Sequence, residues 1–323
     1  MTNNGAPASV GAVADLTYRN YAGPRHTRAV RWWIIALLGI RLNFKKPAFT
    51  IFAGIALLPY LWAGIVVLFQ TLIGQSSQMV IGATTPKYAS IMYKALIGGP
   101  FQPAQAFLLF IIAIIAGAGC IAADNKANAL LVYLSKPVTK ADYLIGKWAG
   151  LFLSIYVVAV VPALLLYAFC LVSFLHDGFL KAEPFLIVHL LCATAVPGVI
   201  HASLLLGFSA WSKSPRVAGA LYAALFVVGG LATDIIAAIR HHGPQIVTHT
   251  EQYYSVGGAI HGLTQDIYGV TQHITMMHRW SGEAFSFTDS PPSWHLLLAI
   301  AAGLVAAGLL AARLKIRAVE VVG

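Results

Sequence analysis

The sequence predicts an all-α, polytopic membrane protein with six transmembrane helices, an N-terminal interfacial amphipathic helix and both termini in the cytoplasm. Apolar residues make up 59% of the 323 positions and charged residues only 10%, whereas soluble domains carry roughly a quarter charged residues. Six windows are apolar over the ~20 residues that a helix needs to cross a bilayer. Numbered as spans one to six, they are 49–73, 103–123, 148–174, 185–210, 217–238 and 294–312.

The chain before span one divides into a flexible cytoplasmic N-terminus, 1–24, and the start of a single transmembrane domain, 25–323. No charged-then-apolar pattern of a cleaved export signal is evident there. Within 28–46, the apolar core 32–40 would reach only about 14 Å as a helix, which is too short to cross. Basic residues surround that core, and its two tryptophans suit the headgroup level, which favours a helix lying in the inner interface. An ordinary basic anchor flanking span one is the alternative.

The distribution of basic residues sets the direction of the spans. Sixteen lysines and arginines lie before span one, between spans two and three, between spans four and five, and after span six, while five lie on the other side. Because cytoplasmic segments carry the excess of Lys and Arg, both termini are predicted to face the cytoplasm. The same bias accounts for the net charge of +10, so no nucleic-acid partner is expected.

The loop between spans two and three, 124–147, is predicted to present a shaped surface to the cytoplasm. Apolar residues recur in it at helical spacing and give one apolar face, at Ala127, Leu130, Leu131 and Leu134. Pro137 stops that helix, since its ring cannot sit in a helix interior. Thr139 and Asp142 have the spacing of a capping box, with Asp in place of the usual Glu or Gln, and predict a second helix through Lys147 into span three.

The same stretch, IAADNKANALLVYLSKPVTKADYLIGK, resembles the permease subunits of type-2 ABC exporters. The likeness covers residues 25–175 and rests on the Leu-Ser-Lys-Pro hinge at 134–137 and on the entry to span three at Tyr143, Leu144, Gly146 and Lys147. It implies that 124–138 forms a coupling helix that docks into a cleft on an ATPase subunit. The residues assigned to this ATPase-coupling contact are Asp124, Lys126, Leu130, Leu131, Leu134, Ser135, Lys136 and Pro137. A secondary contact is expected at Lys213 and Arg216, with a plain positive-inside turn as the alternative.

The resemblance also implies an assembly in the bacterial inner membrane. This chain would be a half-transporter that pairs with a second permease, identical or different, and with two ABC ATPase subunits. ATP binding would close the ATPases, push on the coupling helix and shift spans one, two and five, and substrate would leave along the dimer interface. A plain interfacial loop in another kind of six-span protein is the alternative.

The external loop, 240–293, departs from that family. Type-2 permeases usually carry short apolar re-entrant helices between spans five and six, whereas this loop is mostly polar and holds six histidines, at positions 241, 242, 249, 261, 273 and 278. Imidazole is a common metal ligand, yet no ligand spacing with matching carboxylates repeats, so a solvated, irregular segment without a metal site is expected. Two alternative functions stay open: a metal-handling maturation system, and a membrane anchor that passes ATPase motion to an external partner protein without moving a solute.

No catalytic motif is recognisable in the sequence. The Gly146-Lys147 pair has no glycine five residues before Gly146, so the phosphate loop of Walker type is absent. HExxH, GxSxG and paired carboxylates within a span are missing as well. The chain is therefore expected not to be an enzyme and to need no cofactor, with ATP hydrolysis in a partner subunit. Its cysteines lie in apolar runs and are expected to be small buried hydrophobes: Cys120, Cys170 and Cys192.

Two ionisable residues inside the predicted spans are candidates for a substrate pathway, because such groups are costly at membrane depth and often functional. His201 lies near the middle of span four and Asp234 near the outer end of span five. A buried, hydrogen-bonded structural role is the alternative for His201, and an interfacial residue reaching water is the alternative for Asp234. Prolines inside the spans predict kinks that free backbone carbonyls for neighbouring helices to satisfy: Pro59, Pro162 and Pro197.

Overall fold

The computed structural model describes residues 31–73, 87–98, 104–127, 139–176, 178–240, 251–270, 272–277, 284–289 and 292–318. The predicted N-terminus 1–24 lies outside the described residues. The α-helices within these ranges are α1 (Arg31–Phe44), α2 (Pro47–Ile55), α3 (Leu58–Ile73), α4 (Lys87–Ile97), α5 (Gln105–Gly117), α6 (Ala122–Lys126), α7 (Lys140–Ser173), α8 (Phe179–Ala182), α9 (Leu186–Trp211), α10 (Pro215–Arg240), α11 (Val256–Tyr268) and α12 (Trp294–Ala318).

Six stretches of the described chain are helical, long and apolar enough to cross a membrane, which confirms the predicted all-α polytopic fold class. Span one is made of α2 and α3, and span two is made of α5 and α6. Spans three to six correspond to α7, α9, α10 and α12. Their bounds are Pro47–Phe69, Gln105–Lys126, Lys140–Ser173, Leu186–Trp211, Pro215–Thr233 and Trp294–Ile316.

A short β-hairpin lies between spans five and six, after the 3-10 helix Glu251–Tyr254 and α11. Its strands, β1 (Gln272–Met277) and β2 (Ala284–Asp289), pair antiparallel with Gln272 opposite Asp289. The sequence did not predict this hairpin, because two strands of six residues leave only a brief alternating pattern. Apart from this hairpin, the secondary-structure elements that the structure describes are helices.

Span four is the centre of the bundle. In its most apolar window 72% of the residues are buried, the largest share among the six spans. Spans four and six approach backbone to backbone, since a Cβ atom added to Gly308 would lie 2.3 Å from the carbonyl oxygen of Ser203. No real side chain tolerates that distance, so glycine is required at this crossing.

Helix α1 packs along the first turns of span three through two glycines four residues apart. A Cβ atom on Gly146 would lie 2.7 Å from the Trp32 carbonyl oxygen, and one on Gly150 would lie 2.8 Å from the Ala36 carbonyl oxygen. The other face of α1 exposes apolar side chains, among them Ile34, Leu38 and Leu42. Helix α1 thus packs one face against the protein and exposes an apolar face, which is compatible with the predicted interfacial helix. The position of α1 in the bilayer stays a prediction.

Two short helices that do not span the membrane, α4 and α11, fill the end of the bundle opposite to the loop 124–147. Eight of the eleven residues of α4 and seven of the thirteen residues of α11 are buried. The expectation of a solvated, irregular segment is therefore wrong for 256–268. Its polar residues find partners inside the protein, since Thr264 donates to the Ile260 carbonyl oxygen and Gln265 accepts from the Tyr253 hydroxyl.

The carboxylate of Glu183 caps the start of α4. The backbone N–H groups of Tyr88 and Ala89 each donate to it at 2.8 Å. A negative charge is favourable there, because the first N–H groups of a helix have no partner within the helix. Burial nevertheless raises the pKa of Glu183 above its ordinary value, so this end of the molecule has a titratable cap.

Candidate functional site

Asp124, where the apolar run of span two stops, forms an ion pair across the base of the loop. Its Oδ2 lies 2.7 Å from the Nζ of Lys147 and accepts a hydrogen bond of 2.6 Å from the hydroxyl of Tyr143. The Lys147 ammonium is also 5.5 Å from the centroid of the Tyr143 ring, within the range of a cation–π contact. Both charged side chains are only 18% exposed. The pair therefore ties the end of span two to the start of span three.

The predicted capping box begins span three. The Oγ1 atom of Thr139 accepts from the Asp142 N–H at 3.1 Å, and the Asp142 carboxylate accepts from the Thr139 N–H at 3.2 Å. This confirms that the shorter Asp side chain replaces the usual Glu or Gln. The helix then runs for 34 residues, so its first turn is one end of a long helix through the bundle.

The end of span two is also bonded to the end of span four. The Oγ atom of Ser209 accepts from the backbone N–H groups of Ile121 and Ala122 at 2.9 Å each. The side-chain amide of Asn125 donates to the Ala210 carbonyl oxygen at 3.1 Å. These bonds satisfy N–H groups at the start of α6, where the helix itself offers no acceptor.

The turn between spans four and five lies beside this junction. A Cβ atom on Gly119 would be 3.5 Å from the Pro215 ring, an ordinary contact distance. Lys213 and Arg216 in the turn are exposed. The described start of the loop 124–147 and the turn after span four are thus neighbours at one end of the bundle. We call this end of the bundle the basic end. It is defined by five basic residues: Lys46, Lys147, Lys213, Arg216 and Lys315.

Lys46, immediately before span one, joins the basic end to helix α1. Its Nζ donates to the Asn43 Oδ1 at 3.0 Å and to the Ile115 carbonyl oxygen at 3.1 Å, and the Asn43 amide donates to the Ser154 Oγ at 3.2 Å. Burial lowers the pKa of Lys46 from its ordinary value. This chain of bonds connects α1 with spans two and three.

Span six reaches the same end. The indole N–H of Trp211 donates to the Ala311 carbonyl oxygen at 2.8 Å, and the Lys315 ammonium lies 5.4 Å from the centroid of the Trp211 ring. A small apolar core beneath these residues is made of Ile121, Tyr143, Leu206, Ala210, Ala312 and Ile316. Spans two, three, four and six therefore share one packed unit at the basic end.

The structure describes two of the eight residues assigned to the coupling contact. Asp124 is engaged in the ion pair with Lys147, and Lys126 is exposed at the end of α6. The other six lie outside the described residues: Leu130, Leu131, Leu134, Ser135, Lys136 and Pro137. The docking role of all eight stays a prediction, and for Asp124 the structure adds an internal partner.

The two pathway candidates lie on different spans. His201 is fully buried in span four, and its Nδ1 forms a hydrogen bond with the hydroxyl of Tyr222 in span five. Its Nε2 is buried and has no hydrogen-bond partner among the described residues. Asp234 belongs to α10, but its side chain is outside the described residues. His201 thus has the buried, hydrogen-bonded surroundings of the structural alternative.

Among the six histidines of the loop 240–293, the structure describes the side chain of His261. Its ring stacks on the rings of Tyr93 and Tyr253, with centroid distances of 5.9 and 5.6 Å, and its Nε2 bonds to the Tyr93 hydroxyl. The other five histidine side chains, at 241, 242, 249, 273 and 278, lie outside the described part. Within that part, no three His, Cys, Asp or Glu side chains are grouped to hold a metal ion.

The expectation of buried cysteines holds for Cys170 and fails for Cys192. Cys170 is buried, Cys120 is half-buried and Cys192 is exposed on span four. Part of the surface of span four is exposed, and a thiol is apolar enough to be tolerated on the exposed face of a span. Burial in the protein is therefore not required of a cysteine in a span.

Sequence reasoning missed the partners that hold the basic end together. The opposite charges of Asp124 and Lys147 at the two ends of one loop were a readable signal. The spacing Gly146-x-x-x-Gly150 was another, because small residues four apart let two helices approach closely. Ser209 left no signal, since a serine in a helix more often bonds to its own backbone.

The fold and the basic end define a class: a polytopic helical protein whose described span ends on one side are packed together. A family model described as "ABC-2 family transporter protein" matches residues 33–314. That match covers most of the chain, so this protein belongs to the ABC-2 transporter family and is a permease of an ABC transport system. Membership implies embedding in a membrane and an ABC ATPase as a partner. No curated protein matches the chain.

Proposed function

We propose that this chain is the membrane-spanning half of an ATP-driven exporter, with two ATPase subunits docked at the basic end and a second permease beside it. The observation that carries the proposal is that, in a chain of this family, the start of the loop after span two lies beside the turn after span four. ATP hydrolysis takes place in the docked subunits, because the sequence of this chain has no phosphate loop.

The charge distribution supports this orientation. Sixteen of the twenty-one basic residues belong to the side that carries the basic end. The positive-inside rule places that side in the cytoplasm, where ATP is available. In a bacterium the chain would therefore sit in the inner membrane with both termini inside.

The bonds at the basic end supply two routes for force from an ATPase. Through Asp124 and Lys147, a displacement of the loop base acts on the first turns of span three. Through Ser209 and Asn125, the same displacement acts on the end of span four. Because these contacts are hydrogen bonds and an ion pair between packed helices, the base of the loop moves with the spans.

The opposite end would have to open for substrate to leave. There α4 and α11 are packed among the spans, with Tyr93 and Tyr268 among the largest fully buried side chains. Outward movement of these two helices is the step that would connect the interior to the outside in this proposal.

Affinity purification in a mild detergent from the native host, followed by mass spectrometry, tests the docking surface. Wild-type protein should retain an ATPase subunit in equal amount. Two double variants, Leu130→Glu with Leu134→Glu and Lys213→Glu with Arg216→Glu, should each reduce the retained ATPase at least about tenfold, since each introduces charge repulsion or an unpaired charge at the contact.

The matched control is Lys181→Glu, the same reversal of charge on an exposed lysine of α8 at the opposite end. It should leave the retained ATPase unchanged. Loss of the ATPase in this control as well would indicate a general effect of charge, and retention in both double variants would rule out docking at the basic end.

A membrane anchor that transmits ATPase motion to an external partner protein is the second candidate function, and the hairpin β1–β2 between spans five and six is the feature that favours it. An exporter predicts that a small molecule or lipid stimulates ATP hydrolysis by the purified complex. An anchor predicts a protein bound at the hairpin and no such stimulation.

A further inference from the structure

Span five is the least buried of the six spans. In its most apolar window only 17% of the residues are buried. A narrow stripe with helical spacing attaches it to the bundle: Ala218 and Tyr222 are fully buried, and Phe226, one turn further, is half-buried. The contact of span five with spans two and four is therefore concentrated around Tyr222.

One polar contact lies inside that stripe. The Tyr222 hydroxyl is hydrogen-bonded to the Nδ1 of His201 in span four. Aromatic rings enclose the pair: Phe110 of span two stacks on Phe226 with ring centroids 4.1 Å apart, and Phe226 is 5.9 Å from His201. The rings of three spans thus close around one histidine.

The histidine is only half satisfied in this arrangement. A neutral imidazole carries one donor and one acceptor nitrogen, so both nitrogens seek partners. Nδ1 has Tyr222, whereas Nε2 is buried and no described residue bonds to it. A buried polar group without a partner costs free energy, and that cost falls on the packed arrangement of spans two, four and five.

We infer that His201 and Tyr222 form a latch that holds span five against spans two and four and is set close to its release point. The hydrogen bond and the ring packing favour the closed arrangement. The unpartnered Nε2 opposes it, because separation of span five gives this nitrogen access to water or to a polar group of a substrate. The latch is a property of this chain alone; its use as a step of transport rests on the proposed function.

This balance predicts an unusual order among variants. Tyr222→Phe leaves both imidazole nitrogens without partners and should favour separation. Adding His201→Phe removes every unpartnered polar group from the contact, so the double variant should be more closed than wild type, since apolar groups of similar shape can replace both partners of a buried bond. A hydrogen bond that only stabilises the closed arrangement would leave the double variant more open than wild type, since no destabilising group would be removed to offset its loss.

Pulsed EPR on the full-length chain in lipid nanodiscs measures the separation. One spin label goes on the native Cys192 of span four and the other on Val228→Cys of span five, both exposed positions, with Cys120 and Cys170 replaced by Ala. Tyr222→Phe should raise the ratio of the long-distance to the short-distance population about fivefold or more. The double variant should lower that ratio below the wild-type value.

Tyr60→Phe is the matched control, because Tyr60 is a tyrosine buried in span one whose hydroxyl has no partner among the described residues. It should leave the distance distribution unchanged. The latch is overturned if Tyr222→Phe behaves like this control, or if the double variant is more open than wild type. Because the distances need no ATPase, failure of the co-purification would count against the proposed function without deciding this result.

Discussion

The side-chain amide of Gln105 donates to the carbonyl oxygen of Val158 at 3.1 Å, the oxygen that Pro162 leaves without a helical partner four residues later. The same nitrogen donates to the Ala56 carbonyl oxygen at 3.3 Å, at the break between α2 and α3. Gln105 is fully buried. One side chain at the start of span two therefore satisfies backbone oxygens in spans one and three, as irregular helices inside a membrane require.

Replacing Gln105 by Leu should lower the stability of the folded protein. Two buried carbonyl oxygens would lose their donor, at a cost of about 1–3 kcal/mol each. The apparent Tm of the purified protein in detergent should fall by several degrees. Tyr60→Phe, which removes a buried hydroxyl that has no hydrogen-bond partner among the described residues, should not lower it. A Leu variant as stable as wild type would mean that both oxygens have another donor.

The ion pair between Asp124 and Lys147 should appear as coupling in a double-mutant cycle. The variants are Asp124→Asn, Lys147→Met and the double change, measured by the free energy of unfolding in denaturant. Because the pair is only partly exposed and shares the Tyr143 hydroxyl, we expect about 1 kcal/mol of coupling. Lys126→Met, a change on an exposed neighbour, should show no coupling with Asp124→Asn. Additive single effects would contradict a tie between spans two and three.

The two glycines that receive α1 should respond differently from a glycine in open surroundings. Gly150→Ala places a Cβ atom 2.8 Å from the Ala36 carbonyl oxygen and should lower the Tm by pushing α1 away. Gly303→Ala meets nothing within 4 Å and should be neutral or slightly stabilising, because Ala is the better helix former by about 1 kcal/mol. Equal effects of the two changes would show that α1 does not pack as closely as described.

The cap on α4 predicts a pH dependence with a defined sign. Because burial raises the pKa of Glu183, the folded state binds the proton more tightly than the unfolded state. The stabilisation from this group is present below the ordinary pKa of the carboxyl and is lost as pH rises through the raised value. The Tm of wild type, relative to that of Glu183→Gln, should therefore fall as the pH is raised from about 4 to about 7. A difference that does not change with pH would contradict this sign.

The proposed orientation can be checked by labelling single cysteines in intact cells, in a variant whose three native cysteines are replaced by Ala. Lys181→Cys should react with a membrane-impermeant maleimide added outside, because α8 lies at the end predicted to be external. Lys213→Cys should react only after permeabilisation, since it belongs to the basic end. The reverse pattern would place the termini outside.

The six spans were predictable because a run of about 20 apolar residues can be stable in lipid only as a helix. The capping box at Thr139 was predictable for a local reason, since both of its bonds join residues three apart. The helix 256–268 was not, because its polar residues read as solvated and only their partners in the fold reveal that they are buried.

By itself the sequence determined the class of protein, the number of spans, the charged side of the bundle and the family resemblance that the family model later matched. These properties follow from composition, run length and local spacing. The tertiary structure alone decided which groups meet across helices: Ser209 with Ile121, Gln105 with Val158, and His201 with Tyr222. Each of these pairs joins two helices, and the physical reason is that inter-helix contacts depend on how whole helices are rotated and crossed, which no local pattern along one helix encodes.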